Sequence, residues 1–251
     1  MFDSHAHLTD VKFGNDRRET VERARAAGVD GIITIHSPVE DAKPFLELME
    51  EYDCIYGAAG IHPGDKAADR LNAGFDTGIL EHKKVVAVGE IGLDYYWKDN
   101  PPFEIQKELF EMQLDLAAGR GLPVIIHCRD AWKDMLGILE NRGAIKGVMH
   151  CFSGDVELME KCLDAGLYIS IAGPVTYPKA EKARQVAAAV PAERLLVETD
   201  CPYLAPQEFR GKRNEPAYVC STLRKIAELR NISPEEAGRI TTENTRKLFG
   251  I

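Results

Sequence analysis

The 251-residue sequence predicts an α/β protein folded as one (β/α)8 TIM-type barrel. Three observations predict it. Eight short β-rich runs recur with helical patterns between them, several of those patterns end in glycine just before the next run, and the length matches the roughly 250 residues of a single such barrel. Strands alternating with helices imply a parallel sheet, either closed or open and doubly wound. The chain contains no G-x-G-x-x-G or Walker-type loop to support the open nucleotide-binding version. The barrel is therefore preferred, as one domain over residues 1–251.

The strand candidates are Met1 to Asp3, Gly31 to His36, Ile55 to Gly60, Val85 to Glu90, Pro123 to His127, Gly147 to His150, Tyr168 to Ser170 and Leu195 to Glu198. Between the fourth and fifth, Ile105, Leu109, Met112 and Leu116 recur at helical spacing and predict one apolar stripe against the sheet. Gly28, Gly121 and Gly166 sit where a helix ends and a left-handed residue is wanted. Ser233-Pro234-Glu235-Glu236 supplies a cap, a proline at the first helical position and a glutamate three residues after the cap. A last helix there is expected to close the barrel.

Composition removes several classes of function. The N-terminus, MFDSHAHLTD, is acidic and polar where a signal peptide needs a basic start and an apolar stretch. No apolar run approaches the ~18 residues that span a bilayer, so no membrane role is expected. Six cysteines form no C-x-x-C pair, which fits reduced thiols in the cytoplasm and excludes a zinc ribbon. A net charge of −9 argues against broad electrostatic capture of nucleic acid, yet leaves room for one held at a local metal centre.

The chemistry gathers at strand ends. His5-Ala6-His7 follows the first strand, and the two-residue period of an extended chain points both imidazoles to one side, where they can share a metal. Alone, H-x-H is a weak signal, since surface or capping histidines look identical. The other strands strengthen it: Glu90 ends VVAVGE, His127 ends PVIIH, His150 ends GVMH and Asp200 follows LLVET. That C-terminal edge is where barrels place catalytic residues, and buried carboxylates there need compensating cations. Six ligands exceed one tetrahedral ion, so two divalent ions sharing a bridging carboxylate is the economical arrangement. Mixed imidazole and carboxylate donors suit zinc, manganese or iron, whereas magnesium usually takes oxygen; magnesium, manganese and zinc all stay open.

The strings FDSHAHL, GIHP, GEIGLDYY, PVIIHCRDA, HCFSG, ETDCPYLAP and RGKRNEP, in this order, closely resemble the TatD family of metal-dependent deoxyribonucleases within the amidohydrolase-like barrels. The resemblance runs from residue 2 to about residue 250. It implies that His5 and His7 hold one metal with Asp200, that His127 and His150 hold the second, and that Glu90 bridges both. It also implies phosphodiester hydrolysis in DNA, as a 3′-to-5′ exonuclease on single strands. Asp200 is then expected to act as the base toward a metal-activated water.

Substrate contacts are less sharply marked. His62 of GIHP could hold a phosphate or simply cap its loop beside Pro63. Arg129 and the stretch Arg210, Lys212 and Arg213 are candidates for a charged backbone, with local salt bridges to acids such as Glu215 as the alternative. Tyr95, Tyr96 and Trp97 could stack bases or pack the rim. Asp94 and Glu198 are expected to orient ligand imidazoles. Cys128, Cys151 and Cys201 adjoin ligands, but alternation turns them away. His36 could also face the mouth. The same scaffold admits an aminoacyl-tRNA deacylase or another amide or ester hydrolase. A non-enzymatic metal-binding scaffold is disfavoured by the full ligand set.

Overall fold

A computed structural model describes residues 1–37, 41–65 and 77–251. Its eight strands form one parallel sheet in the order β1 to β8. The strands are β1 (Phe2–Ala6), β2 (Gly31–His36), β3 (Ile55–Ala59), β4 (Val85–Asp94), β5 (Val124–Arg129), β6 (Gly147–Met149), β7 (Tyr168–Ile171) and β8 (Leu195–Val197). The α-helices are α1 (Arg17–Ala26), α2 (Lys43–Glu51), α3 (Phe103–Arg120), α4 (Trp132–Glu140), α5 (Val156–Asp164), α6 (Glu181–Ala189), α7 (Val219–Arg230) and α8 (Pro234–Phe249). The sheet closes just beyond β8: Ala6 bridges Cys201, the His7 amide donates to the Cys201 carbonyl at 2.8 Å, and the Asp200 amide donates to the His5 carbonyl at 3.0 Å. The (β/α)8 barrel expected from the sequence is the fold observed.

Alternation along the strands sorts the core into two shells. Phe2, Ile33, Ile35, Ala58, Ile125, Val148 and Leu196 make the inner one, joined by Leu248 and Phe249 of α8. Ile32, Ile55, Val88, Ile126, Met149, Ile169 and Val197 pack outward on helix residues such as Phe45, Phe110, Met135 and Leu223. Each fully buried Ile, Leu or Phe contributes roughly 1.5–3 kcal/mol. Gly28, Gly121 and Gly166 take the expected left-handed conformation, with φ of 83°, 68° and 90°. Ser233 caps α8 by accepting from the Glu236 amide at 3.1 Å, and α8 packs on β8 and β1.

Three expectations are corrected. First, β1, β4 and β5 run further than their apolar residues suggest, so His5, Glu90 and His127 lie within strands. Register shifts between Asp3 and Ala6 in β1, and between Gly89 and Ile91 in β4, insert an extra residue at each place. Such bulges re-aim a side chain; here they release His5 and Glu90 from strict alternation.

Second, the buried stripe of α3 is Gln106, Leu109, Phe110, Gln113, Leu114 and Ala117, while Met112 is exposed. The helix is rotated because its two glutamines are needed inside. Gln106 Oε1 accepts from the Asp94 amide at 2.8 Å, and its Nε2 donates to the carbonyls of Asp94 and Pro101 at 3.0 and 2.9 Å. Gln113 likewise brackets Ile61, with 2.7 and 3.1 Å bonds to its amide and carbonyl. A buried backbone polar group left without a partner costs about 1–3 kcal/mol. Gln106→Leu is therefore expected to remove about 2–3 kcal/mol of stability, lowering Tm by roughly 4–12 °C for a chain of this length. Calorimetry checks this; an unchanged Tm would contradict the clamp.

Third, His36 does not face the mouth. Ile33 and Ile35 point inward, so His36 points outward, buried and stacked on Phe45 at 4.8 Å between ring centroids.

Candidate metal centre

The C-terminal ends of β1, β4, β5 and β6, with the segment after β8, bring His5, His7, Glu90, His127, His150 and Asp200 together. His5 Nε2, His7 Nε2, Glu90 Oε2 and Asp200 Oδ1 face one another. The two imidazole nitrogens are 3.2 Å apart, and their separations from the carboxylate oxygens run from 3.3 to 3.7 Å. Most of these spacings are long for direct hydrogen bonds. They match donors about 2.1 Å from a shared ion, which in a tetrahedral arrangement lie roughly 3.4 Å apart.

A second group adjoins the first. His127 Nδ1 and His150 Nε2 each lie 2.8 Å from Glu90 Oε1 and 3.3 Å from each other. Glu90 thus presents one oxygen to each group, the geometry of a bridging carboxylate. The His5 and His150 rings stack across the divide at 3.9 Å.

Carboxylates beyond the donors set the orientation of two imidazoles. Asp94 Oδ2 lies 3.2 Å from His127 Nε2, and Glu198 Oε1 lies 3.1 Å from His150 Nδ1. An N–H donated there leaves the opposite nitrogen's lone pair turned to the centre. Gly92, at φ 141°, is required for this packing, because a Cβ would fall 2.0 Å from the His127 carbonyl oxygen. Asp94→Asn and Glu198→Gln are each expected to weaken cation affinity by about 10–100-fold, measured by competition with a chromophoric chelator. Unaltered affinity in both variants would contradict the orienting role.

Electrostatics fits a cation site. Burial would raise Glu90, but the neighbouring imidazoles, His150 first and then His5, hold its carboxyl well below the usual range. Burial opposes ionisation of Asp200 too, and its hydrogen bond with His7 keeps it below its ordinary value. Two ionised carboxylates among four imidazoles form a donor set suited to divalent metal. Among the described residues His5 Nδ1 and Glu198 Oε2 are buried without hydrogen-bond partners.

Asp200 and Cys151 both adopt left-handed backbone, at φ 56° and 42°. Aspartate tolerates this region and cysteine seldom visits it. Such strain collects at functional sites. Cys128 and Cys201 lie in the outer core, as alternation implied.

His62 lies beside the second group, its Nε2 3.6 Å from Glu90 Oε1 and its ring edge-on to His127 at 4.7 Å. Its Nδ1 accepts from the Gly64 amide at 2.9 Å, and burial pulls its pKa down to about 4. A neutral ring whose Nδ1 is an acceptor carries its proton on Nε2, toward the site.

The basic candidates separate. Arg129 and Lys212 are exposed, and Arg210 lies over the Tyr177 ring at 4.4 Å. Arg213 instead binds Asp16 in bidentate fashion at 2.6 and 2.7 Å and donates to the Lys12 carbonyl at 2.7 Å. That is the local salt bridge set out as the alternative, although Asp16 is the principal partner. Glu215 is taken mainly by Arg23, at 2.7 Å.

Sequence reasoning missed Asn214. Buried inside RGKRNEP, its Nδ2 donates to the carbonyls of Thr199 and Tyr203 at 2.8 and 2.6 Å. It thereby fixes both sides of the Asp200 turn. Asp3 assists by accepting from the Thr199 amide and hydroxyl at 2.9 and 2.6 Å. An asparagine next to a charged run gave no hint of this.

A closed parallel barrel with two adjoining imidazole and carboxylate groups at its mouth defines a metal-dependent hydrolase. The family model described as TatD related DNase matches residues 2–250, and the chain belongs to that family. It is 45% identical to the uncharacterized metal-dependent hydrolase YabD of Bacillus subtilis, over 100% of this chain and 99% of that one. It is 38% identical to the 3′-5′ ssDNA/RNA exonuclease TatD of Citrobacter rodentium, covering 100% and 98% of the two chains. The crystal structure of YJJV, a TatD homolog from Escherichia coli K12, superposes with a TM-score of 0.89 at 35% identity, covering 100% and 98%. Among the described residues no helix is long and apolar enough to cross a membrane.

Proposed function

We infer that this chain is a two-metal 3′-to-5′ exonuclease acting on single-stranded nucleic acid, DNA above all. One divalent cation would be held by His5, His7 and Asp200, a second by His127 and His150, with Glu90 shared. Magnesium, manganese and zinc are the candidates. The observation that carries this reading is the division of the Glu90 oxygens: Oε2 lies 3.3 Å from His5, while Oε1 lies 2.8 Å from His127 and His150. When bound, such a pair supplies Lewis acidity to the phosphoryl group and to the attacking water.

The remaining steps fall to the protein. Asp200, kept ionised beside His7, accepts the proton of the attacking water. His62 donates from Nε2 to a non-bridging phosphate oxygen. Arg129, Arg210 and Lys212 provide local positive charge on a protein whose net charge is −9. Arg213 acts through Asp16 and shapes the loop.

The test is a single-stranded DNA oligonucleotide labelled at the 3′ or the 5′ end, incubated with the manganese-loaded enzyme. Stepwise loss from the 3′ end supports the proposal. Hydrolysis of acylated RNA or simple esters, with intact oligonucleotide, would move the assignment to a deacylase or small-ester hydrolase on the same barrel.

A further inference from the structure

Among the described residues, seven large apolar or aromatic side chains are exposed, and their distribution is uneven. Val11 follows β1, Tyr96, Trp97 and Phe103 follow β4, and Tyr203 and Leu204 follow β8, so six of the seven ring the mouth of the metal centre. Apolar exposure gathered at one site marks an interaction surface.

The β4 group is built differently from the others. Tyr95 is withdrawn from it, stacked on Phe103 at 3.8 Å with its hydroxyl donating to Asp134 at 2.8 Å. Tyr96 and Trp97 remain 49% and 56% exposed and meet edge to face at 4.8 Å. Arg129 from the end of β5 lies 3.9 Å over the Tyr96 ring and 5.4 Å from that of Trp97. Among the described residues Arg129 pairs with no carboxylate, so a full positive charge lies over an open aromatic pair.

This pair is also tied to the metal centre. Asp94 Oδ1 accepts from the amides of Tyr96 and Trp97 at 3.0 and 3.4 Å, while Asp94 Oδ2 lies 3.2 Å from His127 Nε2. One carboxylate therefore fixes both the backbone of the aromatic pair and a ligand imidazole.

We propose that Tyr96, Trp97 and Arg129 form a stacking subsite for one unpaired base next to the scissile phosphate. The subsite rests on the nuclease reading and gives it a specificity element. A π-face accepts any base, so sequence tolerance follows. A base locked in a duplex cannot leave its neighbours without an unpairing cost, so single-stranded ends are favoured. The Arg129 guanidinium, supported on Tyr96, is placed to meet the adjoining phosphate.

The test compares wild type with Trp97→Ala on oligonucleotides ending in thymidine or in 5,6-dihydrothymidine, whose saturated ring cannot stack. Loss of one base–aromatic stack raises KM about tenfold with kcat little changed. Wild type is expected to lose a similar factor on the saturated base, and Trp97→Ala to lose little more on it. Binding is followed separately from cleavage: of the two tryptophans, Trp97 is expected to be quenched by oligothymidine, with the quench absent in Trp97→Phe. An unchanged KM in Trp97→Ala, or an equal further penalty on the saturated base, overturns the subsite while the nuclease reading stands. Failure of wild type to cut any oligonucleotide, with esters hydrolysed, overturns both.

Discussion

Glu90→Ala is expected to abolish hydrolysis, with kcat falling at least about 10³-fold, beyond the loss of a single preorganised donor. The reason is geometric. Among the described residues Glu90 is the one side chain with an oxygen in each donor group, 3.3 Å from His5 on one side and 2.8 Å from His127 and His150 on the other. Its removal deprives both groups of a negative charge and leaves four imidazoles facing one another. Metal content by mass spectrometry should fall with activity, and excess manganese should restore little. A variant that keeps both its cations and its turnover would show that Glu90 is structural.

Asp200→Asn is expected to lower kcat by about 10²–10⁴-fold, the contribution of a positioned general base, while KM changes little. The substitution preserves shape, and the backbone that holds Asp200 is fixed independently. Its amide donates to the His5 carbonyl at 3.0 Å, and Asn214 brackets the turn through Thr199 and Tyr203. An amide oxygen can still face His7 but cannot take a proton at neutral pH. Because Asp200 also faces His5 at 3.7 Å, the kinetics are read at saturating metal, where lost affinity no longer masks lost chemistry. Unchanged kcat under those conditions would remove Asp200 as the base.

Much of this site is legible in the chain because parallel barrels impose a simple rule. An apolar run ends, and the next inward residue stands at the mouth. His127 after PVII, His150 after GVM and Asp200 after LLVET follow that rule and gather at one centre in the structure. The helix ends were legible for the same kind of reason, since only a residue free of Cβ strain readily turns left-handed at Gly28, Gly121 and Gly166.

Departures arise where a non-local partner decides. His5 and Glu90 lie in bulged strands, and a bulge is a property of the neighbouring strand's register. Gln106 and Gln113 hold the buried face of α3 because the loops at Asp94 and Ile61 need their amides, a demand that no apolar spacing within the helix reveals. Arg213 looks available in RGKRNEP, yet its partner Asp16 lies near the other end of the chain. His36 shares the strand-end position of the ligands, but Ile33 and Ile35 take the inward phase and turn it to Phe45.

The most direct test of the central claim is to locate the cations. Crystals grown with manganese and measured at the manganese absorption edge are expected to show two anomalous peaks per chain, about 3.5–4 Å apart, one beside His5, His7 and Asp200 and one beside His127 and His150, with Glu90 between them. A single peak at full occupancy, or two peaks that Glu90 does not join, would contradict the shared-carboxylate centre.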